Sequence, residues 1–222
     1  MTVIAPPLLT VRDPTVRYGT AQALLDVSFE APRNSALAVL GPNGAGKSTP
    51  ARALSGLVPT AAGSFALDGR DLTGRPPDSI RRAGPVHLPE GRGVFPTLTV
   101  LENLRMATAC DRRGRQAAGT LSGGEQQMLS LARALMVDPR LVVADELPLG
   151  VAPKMVDVVF ESLRRARSAG VAVIVIEQFA SRALDFADHC LVLRRGRIAW
   201  AGDAALAGPE LLRRHLGEAT AA

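Results

Sequence analysis

The residues best equipped for chemistry run from Gly41 to Thr49 and read GPNGAGKST. They match the spacing G-x-x-x-x-G-K-[ST], follow the apolar run ALAVL and precede a helical stretch, which is the context a phosphate loop requires. Gly41, Gly44 and Gly46, with Pro42, Asn43 and Ala45 between them, allow backbone N–H groups to turn inward as an anion nest. The following helix adds its positive N-terminal end. Lys47 is placed to reach the β- and γ-phosphates of a nucleotide, and the Ser48 hydroxyl, beside Thr49, to ligate Mg²⁺. One residue disturbs the pattern: the ring of Pro50 is expected to crowd the Gly46 carbonyl four residues back.

Two further groups extend the constellation. LSGGEQQ, Leu121 to Gln127, runs into a helix with Ser122 as its expected N-cap, followed by Gly123, Gly124 and Glu125. Alone this is an ordinary capped helix; beside a phosphate loop it reads as a second anion site. LVVADE, Leu141 to Glu146, is an apolar strand ending in two carboxylates, a pattern that by itself also suits a surface turn. Asp145 is positioned to hold Mg²⁺ through its waters, and Glu146 to orient and deprotonate an attacking water.

With these motifs in this order, the sequence resembles the ABC ATPases, whose LSGGQ-like signature binds the γ-phosphate held by the opposite subunit. The resemblance implies ATP and Mg²⁺ as ligands and a dimer with two nucleotides sandwiched between loop and signature. It makes Asp145 and Glu146 the Walker B aspartate and the catalytic glutamate. Tyr18, the only tyrosine, lies in VRYG and resembles the aromatic that stacks on adenine; the plainer alternative is a strand tyrosine at a core edge. HLPEGRGVFPTLTVLENL, His87 to Leu104, resembles the Q-loop region of the branched-chain amino acid uptake ATPases, where glutamate replaces the usual glutamine. This assigns Glu90 a catalytic and metal-contacting role. LGVAP, Leu149 to Pro153, and VIEQ, Val175 to Gln178, resemble the same group, with Gln178 where most ABC proteins carry the switch histidine. The implied protein is the second ATP-binding subunit of such an importer. It would be paired with itself or a sister ATPase, bound to integral-membrane permease subunits on the inner face of the cell membrane, and fed by an extracytoplasmic substrate-binding protein.

The bulk composition agrees. The 222 residues are 47% apolar and 21% charged, enough for a proper core, while the 4% aromatic content puts that core on Val, Leu, Ile and Ala. No run of 18 apolar residues appears, so any membrane role comes through a partner. The N-terminal sequence lacks the pattern of a signal peptide. The net charge of +5 rests on scattered arginines without interleaved aromatics, which argues against nucleic acid; Lys47 and Lys154 are the only lysines. Cys110 and Cys190 form no CxxC and fit a reducing cytoplasm.

The elements needed to position these residues alternate. Strands are expected at Leu24 to Phe29, Ala36 to Leu40, Ser64 to Leu67, Val86 to Leu88, Leu141 to Ala144, Val171 to Ile176 and Cys190 to Leu193. Helices are expected at Thr49 to Leu57, Val100 to Ala109, Glu125 to Met136, Ala152 to Ser168, Ala180 to Phe186 and Ala204 to Leu216. This predicts an α/β P-loop NTPase core with a mixed, largely parallel sheet and a small, shortened helical subdomain. One domain is expected over 1–222, with a helical arm over about 91–135. The polar run Cys110 to Thr120 replaces part of the family's longer arm. A second departure is DELPLGVAP, where the proline usual after the catalytic glutamate stands one place later, at Pro148. These departures motivate a rival reading, a degenerate module that binds ATP with little turnover; another is an ATPase serving a related amide or small amino acid. ABC proteins of DNA repair or translation are excluded by the lack of long coiled coils and of a second such domain.

Overall fold

The computed structural model describes residues 6–91, 93–106, 116–146, 153–178 and 180–216. The chain opens with β1 (Leu9–Tyr18), β2 (Ala21–Leu24), β3 (Phe29–Ala31) and β4 (Ala36–Leu40), followed by α1 (Ser48–Leu54). Next come β5 (Thr60–Leu67), β6 (Arg70–Asp71), α2 (Pro77–Ala83), β7 (Pro85–Leu88) and α3 (Val100–Arg105). The remainder runs through α4 (Gly123–Leu135), β8 (Leu141–Asp145), α5 (Pro153–Ser168), β9 (Ala172–Glu177), α6 (Ala180–Phe186), β10 (His189–Arg194), β11 (Arg197–Asp203) and α7 (Pro209–Leu216).

Two sheets result. One is antiparallel, ordered β2-β1-β5-β6 with β3 also paired to β1. The other is ordered β11-β10-β4-β9-β8-β7, parallel from β10 to β7 with β11 antiparallel at its edge. The continuously apolar strands expected from the sequence are those of the parallel sheet, because both of its faces are covered. Along β8, Leu141 and Val143 pack towards Leu9, Val11, Phe65 and Leu67 of the antiparallel sheet, in a core that includes Ala51 and Leu54 of α1. Val142 and Ala144 pack the opposite way, with Leu131 of α4 and Val159, Phe160 and Leu163 of α5. Ala38, Leu40, Cys190 and Val192 complete a third cluster with α6 and α7. Among the described residues no helix is long and apolar enough to cross a membrane.

Several sequence expectations need correction. Leu24 to Phe29 is not a strand: it joins the end of β2 to the start of β3, turning at Asp26 with φ +51°. β1 was hidden by Asp13-Pro14 in its middle. There the pairing with β5 shifts register, Asp13 takes φ +38°, and Ser28 Oγ holds its N–H (3.0 Å) and carboxylate (2.7 Å). Opposite this bulge only a glycine fits, since a Cβ on Gly63 would lie 2.3 Å from the Asp13 carbonyl oxygen. The expected helix Ala204 to Leu216 is a 3₁₀ turn over Ala204–Leu206, then α7. α1 stops at Leu54 rather than Leu57, because Gly56 turns left-handed at φ +70°. Of the helix expected over Val100 to Ala109, residues 107–109 lie outside the described residues, as do 110–115 of the polar run. Residues 118–120 of that run form a 3₁₀ turn.

Candidate active site

The parallel register gathers the site at one edge. Leu40 of β4 pairs with Glu177 of β9, Ile176 with Asp145 of β8, and Ala144 with Leu88 of β7. The segments leaving those strands therefore begin side by side: Gly41, Gln178, Glu146 and Pro89. In α/β sheets ligands bind at this carboxyl edge.

The phosphate loop is clamped from both sheets. Gly44 and Gly46 have φ +77° and +95°. A Cβ on Gly44 would meet nothing within 4 Å, so conformation alone requires glycine there; one on Gly46 would lie 2.7 Å from the Ala23 carbonyl oxygen of β2. A Cβ on Gly41 would lie 2.5 Å from the Leu193 carbonyl oxygen of β10. Gly196 closes the clamp, donating to the Ala45 carbonyl (2.9 Å) and accepting from Leu25 N–H (2.7 Å). Pro50 is buried as the third residue of α1. With no N–H there, the Gly46 carbonyl accepts instead from Thr49 N–H at 3.1 Å, so a tighter first turn absorbs the expected crowding.

Four side chains meet above the loop. Lys47 is 4% exposed; its Nζ lies 3.3 Å from the Pro42 carbonyl oxygen and 3.2 Å from Glu146 Oε1. Ser48 Oγ donates to Asp145 Oδ1 at 2.7 Å. Glu146 takes the left-handed φ of +46° while its N–H still donates to the Ile176 carbonyl at 2.9 Å, so the ladder continues as the side chain turns towards Lys47. Asp145 is buried, and its Oδ2 has no hydrogen-bond partner in the protein. Two hard oxygen donors side by side, Ser48 Oγ and Asp145 Oδ1, fit Mg²⁺, which prefers oxygen ligands and keeps several waters.

The other expected site residues are spread around this centre. Tyr18 ends β1, 42% exposed, and pairs with Ala21 at the start of the strand whose Ala23 carbonyl abuts Gly46. Gln178 follows β9 directly and is half-buried; Glu90 is exposed beyond β7. Ser122 caps α4 in a full capping box with Glu125: Ser122 N–H donates to Glu125 Oε2 at 2.8 Å, and Glu125 N–H to Ser122 Oγ at 3.3 Å. The Ser122 hydroxyl, then its N–H, hold the Glu125 carboxyl below the ordinary range. Gly124 is buried against Met155 of α5, while Gly123 is half-buried at the helix start. Within the chain, α4 packs on α3, α5 and β7, and Ser122 and Glu125 face solvent. Pro148, with the rest of 147–152, lies outside the described residues.

Two residues of consequence were not singled out from sequence. His87 of β7 places Nε2 3.5 Å from Asp145 Oδ2, and the available signal was a lone polar residue in the apolar run PVHL. Asn103 of α3 is fully buried. Its Nδ2 donates to the carbonyls of Phe95 (3.0 Å), Leu98 (3.3 Å) and Thr99 (3.0 Å), and its Oδ1 accepts from Phe95 N–H (2.9 Å). Arg133 of α4 ties the same segment down, lying 5.0 Å over the Phe95 ring and donating to the Gly93 carbonyl at 2.6 Å. Burial, then the charge of Arg81, pushes the Arg133 guanidinium down from its usual range.

The family model described as ABC transporter matches residues 24–148. This chain belongs to the ABC transporter family. It is 40% identical to the high-affinity branched-chain amino acid transport ATP-binding protein BraG of Pseudomonas aeruginosa, over 90% of this chain and 95% of that protein. It is 33% identical to the probable branched-chain amino acid transport ATP-binding protein LivF of Archaeoglobus fulgidus, over 84% and 88%. Among solved structures, a nucleotide-free ATP-binding cassette from an ABC transporter superposes with a TM-score of 0.80 at 23% identity, covering 96% of each chain. An ATP-binding subunit of an ABC transporter does so with a TM-score of 0.80 at 26% identity, covering 93% and 92%. The fold class and family expected from the sequence are thereby borne out. As an ABC protein, the chain is an ATP-binding, ATP-hydrolysing transporter subunit.

Proposed function

We propose that this subunit couples ATP hydrolysis to the uptake of branched-chain amino acids. The observation that carries the reading is the 40% identity to BraG across nearly the whole of both chains. In this reading 1–222 is one ATP-binding domain with a helical arm inserted over about 91–135. It dimerises with itself or a sister ATPase and docks on permease subunits at the inner face of the cell membrane, downstream of an extracytoplasmic binding protein.

Each residue then has a task. Tyr18 stacks on adenine, and the N–H groups of residues 41–49 cradle the phosphates. Lys47 exchanges Glu146 for the β- and γ-phosphates. Ser48 and Asp145, with Glu90 nearby, would hold Mg²⁺, which supplies charge neutralisation between the phosphates. Glu146 takes a proton from the water that attacks the γ-phosphorus, and ADP leaves with the bridging oxygen. Gln178 orients that water. Ser122, Gly123, Gly124 and Glu125 serve the nucleotide of the opposite protomer, a role that the solvent-facing side chains of Ser122 and Glu125 support. The test is reconstitution of this chain in liposomes with the permease subunits that co-purify with it and their binding protein. ATP-dependent uptake of leucine, isoleucine or valine is expected; uptake of amides with none of these three would overturn the substrate assignment.

A further inference from the structure

The residue facing Asp145 from the neighbouring strand has no assigned role. β7 and β8 pair in register with His87 opposite Val143. Because side chains alternate along a strand, Val143 and Asp145 share the face on which His87 stands, and Asp145 is its diagonal neighbour, within reach of a long side chain. The His87 side chain is 7% exposed and that of Asp145 1%. Neither ring nitrogen of His87 has a hydrogen-bond partner in the protein, and neither has Asp145 Oδ2. Buried polar groups are normally satisfied. Here the unsatisfied donor and acceptor face each other at 3.5 Å, a gap that closes to a hydrogen bond with a shift of about 0.6 Å.

We infer that His87 is a positioning residue for the metal-binding carboxylate: its Nε2–H donates to Asp145 Oδ2 and fixes the plane in which Oδ1, beside Ser48 Oγ, meets the cation. This rests on the reading of Asp145 as a Mg²⁺ contact. Hydrogen bonds that orient a metal-bound carboxylate commonly affect metal affinity by ~10- to 100-fold.

The experiment measures equilibrium binding of a non-hydrolysable ATP analogue to the full chain, with Mg²⁺ and with chelator. The ratio of the two affinities is the metal's contribution. His87→Phe and His87→Leu are expected to shrink that ratio at least ~10-fold while leaving the chelator affinity unchanged. His87→Gln, whose amide can donate to Oδ2, is expected to retain most of it. Wild-type ratios in both apolar variants, or a loss in the glutamine variant equal to theirs, would overturn the inference. Asp145→Asn is the separate arm: if it too keeps the full ratio, the reading of Asp145 fails and takes the role of His87 with it. A changed chelator affinity in every His87 variant would show a packing role and also overturn the inference.

Discussion

Lys47 and Glu146 stand 3.2 Å apart, Nζ to Oε1, so the cation of the phosphate loop and the carboxylate at the end of β8 neutralise each other. In the proposed cycle an incoming γ-phosphate competes with Glu146 for the same ammonium group. Its arrival frees the carboxylate beside the reacting phosphorus.

Removing the cation should therefore abolish binding. In Lys47→Ala the phosphates lose the buried ammonium of their loop, and Glu146 is left without its partner. ATP affinity measured by calorimetry should fall beyond detection at millimolar nucleotide; an unchanged affinity would refute the assignment of the loop.

Glu146→Gln should separate binding from turnover. The amide keeps the side chain's shape but cannot take a proton, and it releases Lys47 from its ion pair. Nucleotide affinity should hold or rise, while steady-state hydrolysis falls by ~10²-fold or more, as expected for loss of a general base. Turnover within a few-fold of the parent would exclude Glu146 from that role.

Asn103→Ala should loosen the start of the helical arm without touching the nucleotide. It deletes one fully buried side chain that satisfies three carbonyls and one N–H. A loss of ~2 kcal/mol is expected, because the Phe95 N–H is left unpaired while the three carbonyls keep only their backbone donors. That corresponds to a fall of several degrees in Tm for a chain of this size. Hydrogen exchange should accelerate over 93–106, with ATP affinity unchanged. Unaltered exchange in this segment would show that Arg133 alone holds it.

Cys190 should be inert in the folded protein. Burial pushes its thiol up to about 12, so almost no thiolate exists at neutral or mildly alkaline pH. In a Cys110→Ser background, an aromatic disulfide reagent at pH 8 should release no chromophore until denaturant is added. Immediate native labelling would contradict the packing of Cys190 in β10.

What the sequence revealed depended on how local each signal is. Gly41 to Thr49, the Ser122 cap and the apolar run ending at Asp145 are each written within a few consecutive residues, and the structure reproduces the loop, cap and strand they describe. β1 needed knowledge of its partners: Asp13-Pro14 reads as a break until Gly63 and Ser28 are seen to accommodate a bulge. β11 escaped notice because its short apolar run, Ile198 to Ala201, lies on an edge strand whose residues alternate between exposed and half-buried. The contact of His87 with Asp145 could not be read at all, since 58 positions separate them and only the β7–β8 register brings them together. Glu90, Gln178 and the signature residues were recognisable by resemblance alone, since none is joined within the chain to the cluster of Lys47, Ser48, Asp145 and Glu146 by a hydrogen bond or ion pair among the described residues.

The fixing of Gly46 between Ala23 and Gly196 has a thermodynamic consequence. Nucleotide loops that order only around their ligand spend part of the binding free energy on lost chain entropy. Here the backbone of 41–46 is held by the carbonyls of Ala23 in β2 and Leu193 in β10 and by the N–H of Gly196, so that ordering is completed during folding. Binding begins from a preorganised cradle. A Gly46→Ala change would accordingly register first as a less stable protein, and the surviving folded molecules would carry a displaced hairpin at Tyr18, because the loop and the strand that follows Tyr18 share one tight contact.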